Sequence, residues 1–177
     1  MTEDPNDTRL RRFEGRRALV TGASRGIGAC IAERLAAEGA DVALVARTRS
    51  EHAVLEGSLE ETAARCEAHG ARTVVIVADI TRTDDRERLV GEAVEGLGGS
   101  IDVLVNNAGG PCANDLLDMN DEQWDRDIEL NLTATARLTK AVLPHMVEQH
   151  SGAVVNIASV NGLAAYDLMA YGAAKAG

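Results

Sequence analysis

The stretch Thr21-Gly22-Ala23-Ser24-Arg25-Gly26-Ile27-Gly28 decides the fold. An apolar run, Ala18-Leu19-Val20, leads into it. Ile27, Ile31 and Leu35 follow at helical spacing, with Ala29, Ala32, Ala36 and Ala37 between them. That order is strand, glycine turn, helix. Gly22 is expected to turn the chain as it leaves the strand, Gly26 to let backbone N–H groups approach a ligand, and Gly28 to seat the helix close on a sheet. A helix starting here presents unpaired N–H groups and the positive end of its dipole, which suits a pyrophosphate.

Outward from this turn the pattern alternates. Strands are predicted at Arg17–Val20, Val42–Val45, Thr73–Val77, Ile101–Val105 and Ala153–Ile157. Helices are predicted after the glycine turn to about Glu38, over roughly Ser50–Ala68 and Asp84–Leu97, over a long region Asp121–Gln149, and from near Leu168. Gly39, Gly70, Gly98-Gly99 and Gly152 are read as the stops. The strands are continuous Val/Ile/Leu runs, as expected when both faces are covered. Separated by helix-length segments, they imply right-handed βαβ units and a parallel sheet. Residues 1–14 read as a polar tail and 15–177 as one domain.

Composition narrows the function. The 177 residues carry a net charge of −10 and only 2% aromatics, which argues against nucleic acid and against anionic membrane surfaces. No apolar run approaches the ~20 residues that span a bilayer. Cys30, Cys66 and Cys112 form no C-x-x-C and no zinc-like cluster with the four histidines, so no metal is expected. Cys30 and Cys66 read as small apolar packing residues, and a reducing, cytoplasmic setting fits.

Ligands in such sheets bind outside the carboxyl ends of the strands, so the residues just after each strand carry the chemistry. After the second strand, where an NAD-selective site places an acid for the ribose 2′-OH, stand Ala46 and Arg47. A guanidinium there can pair with a 2′-phosphate, and Arg25 is expected to reach the same group, which favours NADP(H) over NAD(H). Asp41 lies at the wrong end of the strand to serve. After the third strand, Asp79 suits a turn cap. After the fourth come Asn106-Asn107-Ala108-Gly109, where small residues leave room for a ligand. Asn131 sits inside the long helical region at a modest local cost. After the fifth strand comes Ser159, followed by Tyr171 and Lys175 at i and i+4 on one helix face. Alone, Y-x-x-x-K is ordinary helix surface. With Ser159 upstream, the set can do chemistry. A tyrosine with its ordinary pKa of ~10 is a poor base at neutral pH, and an ammonium beside it favours the phenolate.

Val-Thr-Gly-Ala-Ser-Arg-Gly-Ile-Gly, Asn106 to Gly109, Asn131, Ser159, Tyr171 and Lys175, in this order, make the chain resemble the short-chain dehydrogenase/reductase family over about Gly15 to Gly177, with the 3-oxoacyl-acyl-carrier-protein reductase branch nearest. The resemblance implies a doubly wound, three-layer α/β fold of Rossmann type. It implies a cofactor site built from Gly22, Ser24, Arg25, Gly26, Ile27, Gly28, Arg47, Asp79 at the adenine amine, Asn107, Ala108 and Gly109, with Tyr171 and Lys175 at the nicotinamide end. It implies hydride transfer between nicotinamide and a carbonyl or secondary alcohol. Tyr171 would move the proton, Ser159 polarise the carbonyl, Lys175 hold the ribose, and the Asn131 carbonyl anchor a relay water. It implies a homodimer or homotetramer paired through the long helix and the last one. Two departures are visible. Ser159 and Tyr171 stand one residue closer than is common, so a shorter loop between them is expected. The family also continues well past Lys175, so this chain is expected to lack C-terminal strands and helices, and nucleotide binding without turnover is the competing expectation.

Overall fold

The computed structural model describes residues 11–49, 56–112, 116–164 and 167–177. The chain alternates β1 (Arg17–Thr21), α1 (Gly26–Ala37), β2 (Asp41–Ala46), α2 (Leu59–Glu67), β3 (Thr73–Val77), α3 (Thr83–Leu97) and β4 (Val103–Asn106). It continues with α4 (Asp121–Ile128), α5 (Ala134–Glu148), β5 (Ala153–Asn156) and α6 (Met169–Ala176). The strands form one sheet in the order β3-β2-β1-β4-β5, with every pairing parallel. Strand order reverses between β1 and β4. A crevice opens at such a switch point, beyond the carboxyl ends of the strands.

The period-two pleat explains the layers. On β1, Ala18 and Val20 face one apolar core while Leu19 faces the other; on β2, Val42 and Leu44 are set against Ala43 and Val45. One core takes α1 and α2 through Ala32, Leu35 and Leu59, the other takes α3 and α5 through Leu89, Ala93, Leu138 and Val142. Leu19, Leu44 and Leu104 are fully buried, each worth about 1.5–3 kcal/mol relative to exposure. Along β5, Ala153, Val155 and Asn156 are exposed.

The helices depart from the sequence pattern in three places. α2 starts at Leu59, because Gly57 takes φ 99° and Ser58 caps the helix, its Oγ accepting from Glu61 N–H at 3.1 Å; residues 50–55 of the predicted helix lie outside the described residues. The region predicted as one helix from Asp121 is interrupted by a π turn at Glu129–Thr133, where Ala134 N–H reaches back to Glu129 O. Its end is turned by His150 at φ 52°, not by Gly152; Gly152 is needed because a Cβ there would lie 2.4 Å from Met146 Cγ. The other stops hold, with φ 98° at Gly39, 85° at Gly70 and 72° at Gly98. Cys66 is buried, and burial pushes its thiol up to about 11, whereas Cys30 is exposed and does not pack as expected. Residues 1–10 of the predicted tail lie outside the described residues. Phe13 packs on the core beside α1, and Arg12 is ion-paired to Glu38.

Candidate functional site

β1 ends in Thr21, whose hydroxyl is a junction. It donates to Val105 O at 3.3 Å and accepts from the N–H groups of Asn107 and Ala108, both at 3.0 Å. Asn107 Nδ2 returns to Thr21 O and Gly22 O, at 2.9 and 3.2 Å. The loops after β1 and β4 are thus stitched together across the switch point. Gly28 is glycine for this reason: a Cβ there would lie 2.3 Å from Gly22 O and 2.5 Å from Asn107 Nδ2. Gly26 differs. At φ 54° nothing lies within 4 Å of where its Cβ would be, so the backbone there is open to a ligand. α1 starts beside it with no side-chain cap and no acidic residue in its first turn.

These loops border a cavity of about 960 Å³. Of the residues singled out from sequence, Gly22, Ser24, Arg25, Ile27, Arg47, Asp79, Asn107, Ala108, Gly109, Ser159, Tyr171 and Lys175 line it together. Gly26, Gly28 and Asn131 are not among its lining residues. Val45, Ala46, Thr48, Ala78, Ile80, Leu130, Ile157 and Ala158 line it as well. Residues 113–115, in the loop after Gly109, and 165–166, in the loop between Ser159 and Tyr171, lie outside the described residues.

At the β2 end, Arg47 is exposed. Arg25 Nη2 donates to Gly57 O at 3.1 Å, which holds the guanidinium at the cavity rim. Asp41 sits at the opposite end of β2, where Oδ1 accepts from Arg72 N–H. Asp79 closes its turn: Oδ1 accepts from Thr81 N–H at 3.0 Å and Thr81 Oγ1 at 2.7 Å. The turn-cap reading of Asp79 therefore holds, on a residue that also lines the cavity.

At the β5 end, Ser159 Oγ accepts from Asn161 N–H at 3.2 Å, within the 3-10 turn Val160–Gly162. Lys175 Nζ donates to Ile157 O at 2.7 Å and lies 5.8 Å from the centre of the Tyr171 ring. Burial holds the Lys175 pKa below its usual value. Asn131 stands behind this wall in the π turn, a device frequent at functional sites. Its side chain pairs with Gly110 through both N–H and C=O, at 2.9 and 3.1 Å, and donates to Asp127 O at 3.0 Å. Gly109 lies between the two groups: a Cβ would come 2.6 Å from Asn131 Oδ1 and 3.5 Å from Lys175 Nζ.

One buried group escaped the sequence reading. Asp127 is fully buried, with Oδ1 accepting from Cys112 N–H at 2.8 Å and no hydrogen-bond donor at Oδ2. Burial, and then the neighbouring Asp127 carboxylate, push the Cys112 thiol up. The only sequence signal was a carboxylate four residues before Asn131, on the same helix face. Among the described residues no group of acids, histidines and cysteines is placed to hold a metal ion. No described helix is long and apolar enough to cross a membrane.

Strand order, glycine turn and switch-point cavity define a doubly wound α/β fold of Rossmann type. Within that class the short chain dehydrogenase family profile matches residues 16–177. The chain belongs to that family. It is 39% identical over 145 residues to the 3-oxoacyl-(acyl-carrier-protein) reductase FabG of Staphylococcus epidermidis, covering 82% of this chain and 57% of that protein. It is 38% identical over 144 residues to dehydrogenase/reductase SDR family member 4 of Pongo abelii, covering 81% and 49%. The crystal structure of carveol dehydrogenase from Mycobacterium avium in complex with NAD superposes with a TM-score of 0.85 at 33% identity, over 94% of this chain and 62% of that one. The chain thus spans about half the length of the two curated relatives.

Proposed function

We propose that this chain carries the cofactor site and the proton-transfer residues of an NADP(H)-dependent oxidoreductase that interconverts a carbonyl and a secondary alcohol. The observation that carries the reading is one cavity with Arg25 and Arg47 at one end and Ser159, Tyr171 and Lys175 at the other. Its residues suit a dinucleotide. Gly26 leaves the approach to the α1 N-terminus open, and Gly109 keeps the floor before Lys175 clear of any side chain.

Bound there, the cofactor supplies the hydride donor or acceptor. This chain's residues do the rest. Arg47, with Arg25 at the rim, offers charge-assisted hydrogen bonds to a 2′-phosphate and favours NADP(H). Lys175, held by Ile157 O, presents its ammonium to the ribose hydroxyls and stabilises negative charge as it develops on the Tyr171 oxygen. Tyr171 gives its phenolic proton to the carbonyl oxygen in reduction and takes it back in oxidation. The Ser159 hydroxyl is free to donate to that oxygen while its own oxygen accepts from Asn161 N–H. Asn131 fixes the Gly110 backbone and anchors a relay water by its carbonyl. For the whole protein the same reading carries a cytosolic location and subunit pairing through α5 and α6; the exposed Leu143 and Val147 on α5 support the pairing.

The test is NADPH oxidation against a broad carbonyl panel, with Tyr171→Phe beside the parent chain. Removing the acid should lower kcat by about 10²–10⁴-fold while NADPH still binds. Turnover unchanged in Tyr171→Phe would sink the assignment.

A further inference from the structure

The 3-10 turn Val160–Gly162 and α6 meet backbone to backbone. Two glycines make this possible, and neither has a left-handed φ, so torsion does not require them. Space does. A Cβ on Gly162 would lie 2.6 Å from Lys175 O and 2.8 Å from Lys175 C. A Cβ on Gly172 would lie 2.9 Å from Asn161 O. The obstacles are backbone atoms, which cannot swing aside as a flexible side chain can.

The two contacts are reciprocal. The turn's glycine meets the helix at Lys175, and the helix's glycine meets the turn at Asn161. Both ends are tied to the site. Asn161 N–H donates to Ser159 Oγ. Gly172 directly follows Tyr171, and the Lys175 peptide is itself one of the contact surfaces. Moving the turn away from the helix therefore moves Ser159 away from Tyr171 and Lys175.

We infer that Gly162 and Gly172 are positioning residues, a reciprocal pair whose missing Cβ atoms set the distance between Ser159 and the Tyr171–Lys175 face of α6. The inference rests on the proposed nicotinamide-end role of that face. It distinguishes the two ends of the cavity: a methyl group at either glycine displaces the nicotinamide end and leaves Arg25, Arg47 and Asp79 where they are.

The experiment is calorimetric titration of the full chain and of Gly162→Ala and Gly172→Ala with two ligands. One is NADPH. The other is adenosine 2′,5′-bisphosphate, which occupies only the adenosine end. Gly91→Ala, on α3 with nothing within 4 Å of its Cβ position, is the control. NADPH affinity should fall about tenfold in Gly172→Ala and further in Gly162→Ala, whose contact is closer, with the bisphosphate held within about twofold. Gly172→Ala, the milder change, carries the test if Gly162→Ala does not fold. Both ligands weakening together would show a structural role only, and neither weakening would show that the close approach is idle; each overturns the inference. A parent chain that binds neither ligand overturns the proposed function, and this inference falls with it.

Discussion

Lys175 Nζ donates a 2.7 Å hydrogen bond to the carbonyl oxygen of Ile157. That bond ties α6 to the end of β5. It also keeps a cation half-buried, and burial lowers its pKa from the ordinary 10.5. The folded chain therefore releases this proton at a lower pH than the unfolded chain. Between the lowered folded value and 10.5 the unfolded state binds more protons, so stability from this group rises with pH through that window. Urea unfolding of the parent and of Lys175→Met should show the parent gaining on the variant as pH climbs towards 10.5. Curves that stay parallel would contradict it.

Glu38 tests the opposite sign. Its carboxyl accepts from the Arg12 guanidinium and, at 2.6 Å, from Arg34 Nε, and with Arg12 as the larger cause its pKa falls from 4.5 to about 2. A depressed carboxyl stabilises the fold above its unfolded value and loses that contribution as pH drops through the folded one. Glu38→Gln should be less stable than the parent above pH 4.5 and converge with it between there and about 2. Both arginines are exposed, so salt should shrink the difference. Acid melts at two ionic strengths check both points.

The glycine turn separates two kinds of glycine. Gly28→Ala drives a methyl group into Gly22 O and Asn107 Nδ2 and should cost about 1–3 kcal/mol by overpacking. It should also unpick the Thr21–Asn107 junction. Gly26→Ala meets no atom but keeps a left-handed φ of 54°, a strain of about 1–2 kcal/mol. Its methyl group also stands where the backbone is open to a ligand. Urea melts should therefore rank Gly28→Ala at least as damaging as Gly26→Ala, while titration with NADPH should show binding impaired in both. Undiminished NADPH affinity in Gly26→Ala would mean that the open approach is not used.

Much of this was legible because the local signals agree. Val42 to Val45 is a continuous apolar run and is buried on both faces. Gly39, Gly70 and Gly98 end helices in left-handed conformations that other residues avoid. What escaped was whatever depends on tertiary context. The π turn at Glu129–Thr133 adds one residue to a ladder whose apolar spacing still reads as helix. Arg86 looks like its exposed neighbours Arg82 and Arg88 in sequence. It is buried, donating to Ile80 O at 2.6 Å and to Thr83 Oγ1 at 2.9 Å, because that loop carbonyl needs a donor. Asp127 was hidden in the same way. At the site, the residue types after each strand were readable. A close approach at Gly28 was readable too, though not its partners Gly22 O and Asn107 Nδ2; the reason Gly162 and Gly172 are glycine was not, since it lies in backbone atoms across a turn.

A thermal shift of this chain titrated separately with NADPH and NADH shows whether the site is built for a 2′-phosphorylated nicotinamide cofactor. Charge-assisted bonds from the cavity's arginines are worth about 1.5–3 kcal/mol, so NADPH should bind roughly ten- to a hundredfold more tightly. At a hundredfold excess over its dissociation constant it should stabilise the fold by about 2.7 kcal/mol. A clear rise in Tm with NADPH and a much smaller one with NADH at equal concentration is the predicted result. Equal shifts, or a larger shift with NADH, would contradict it.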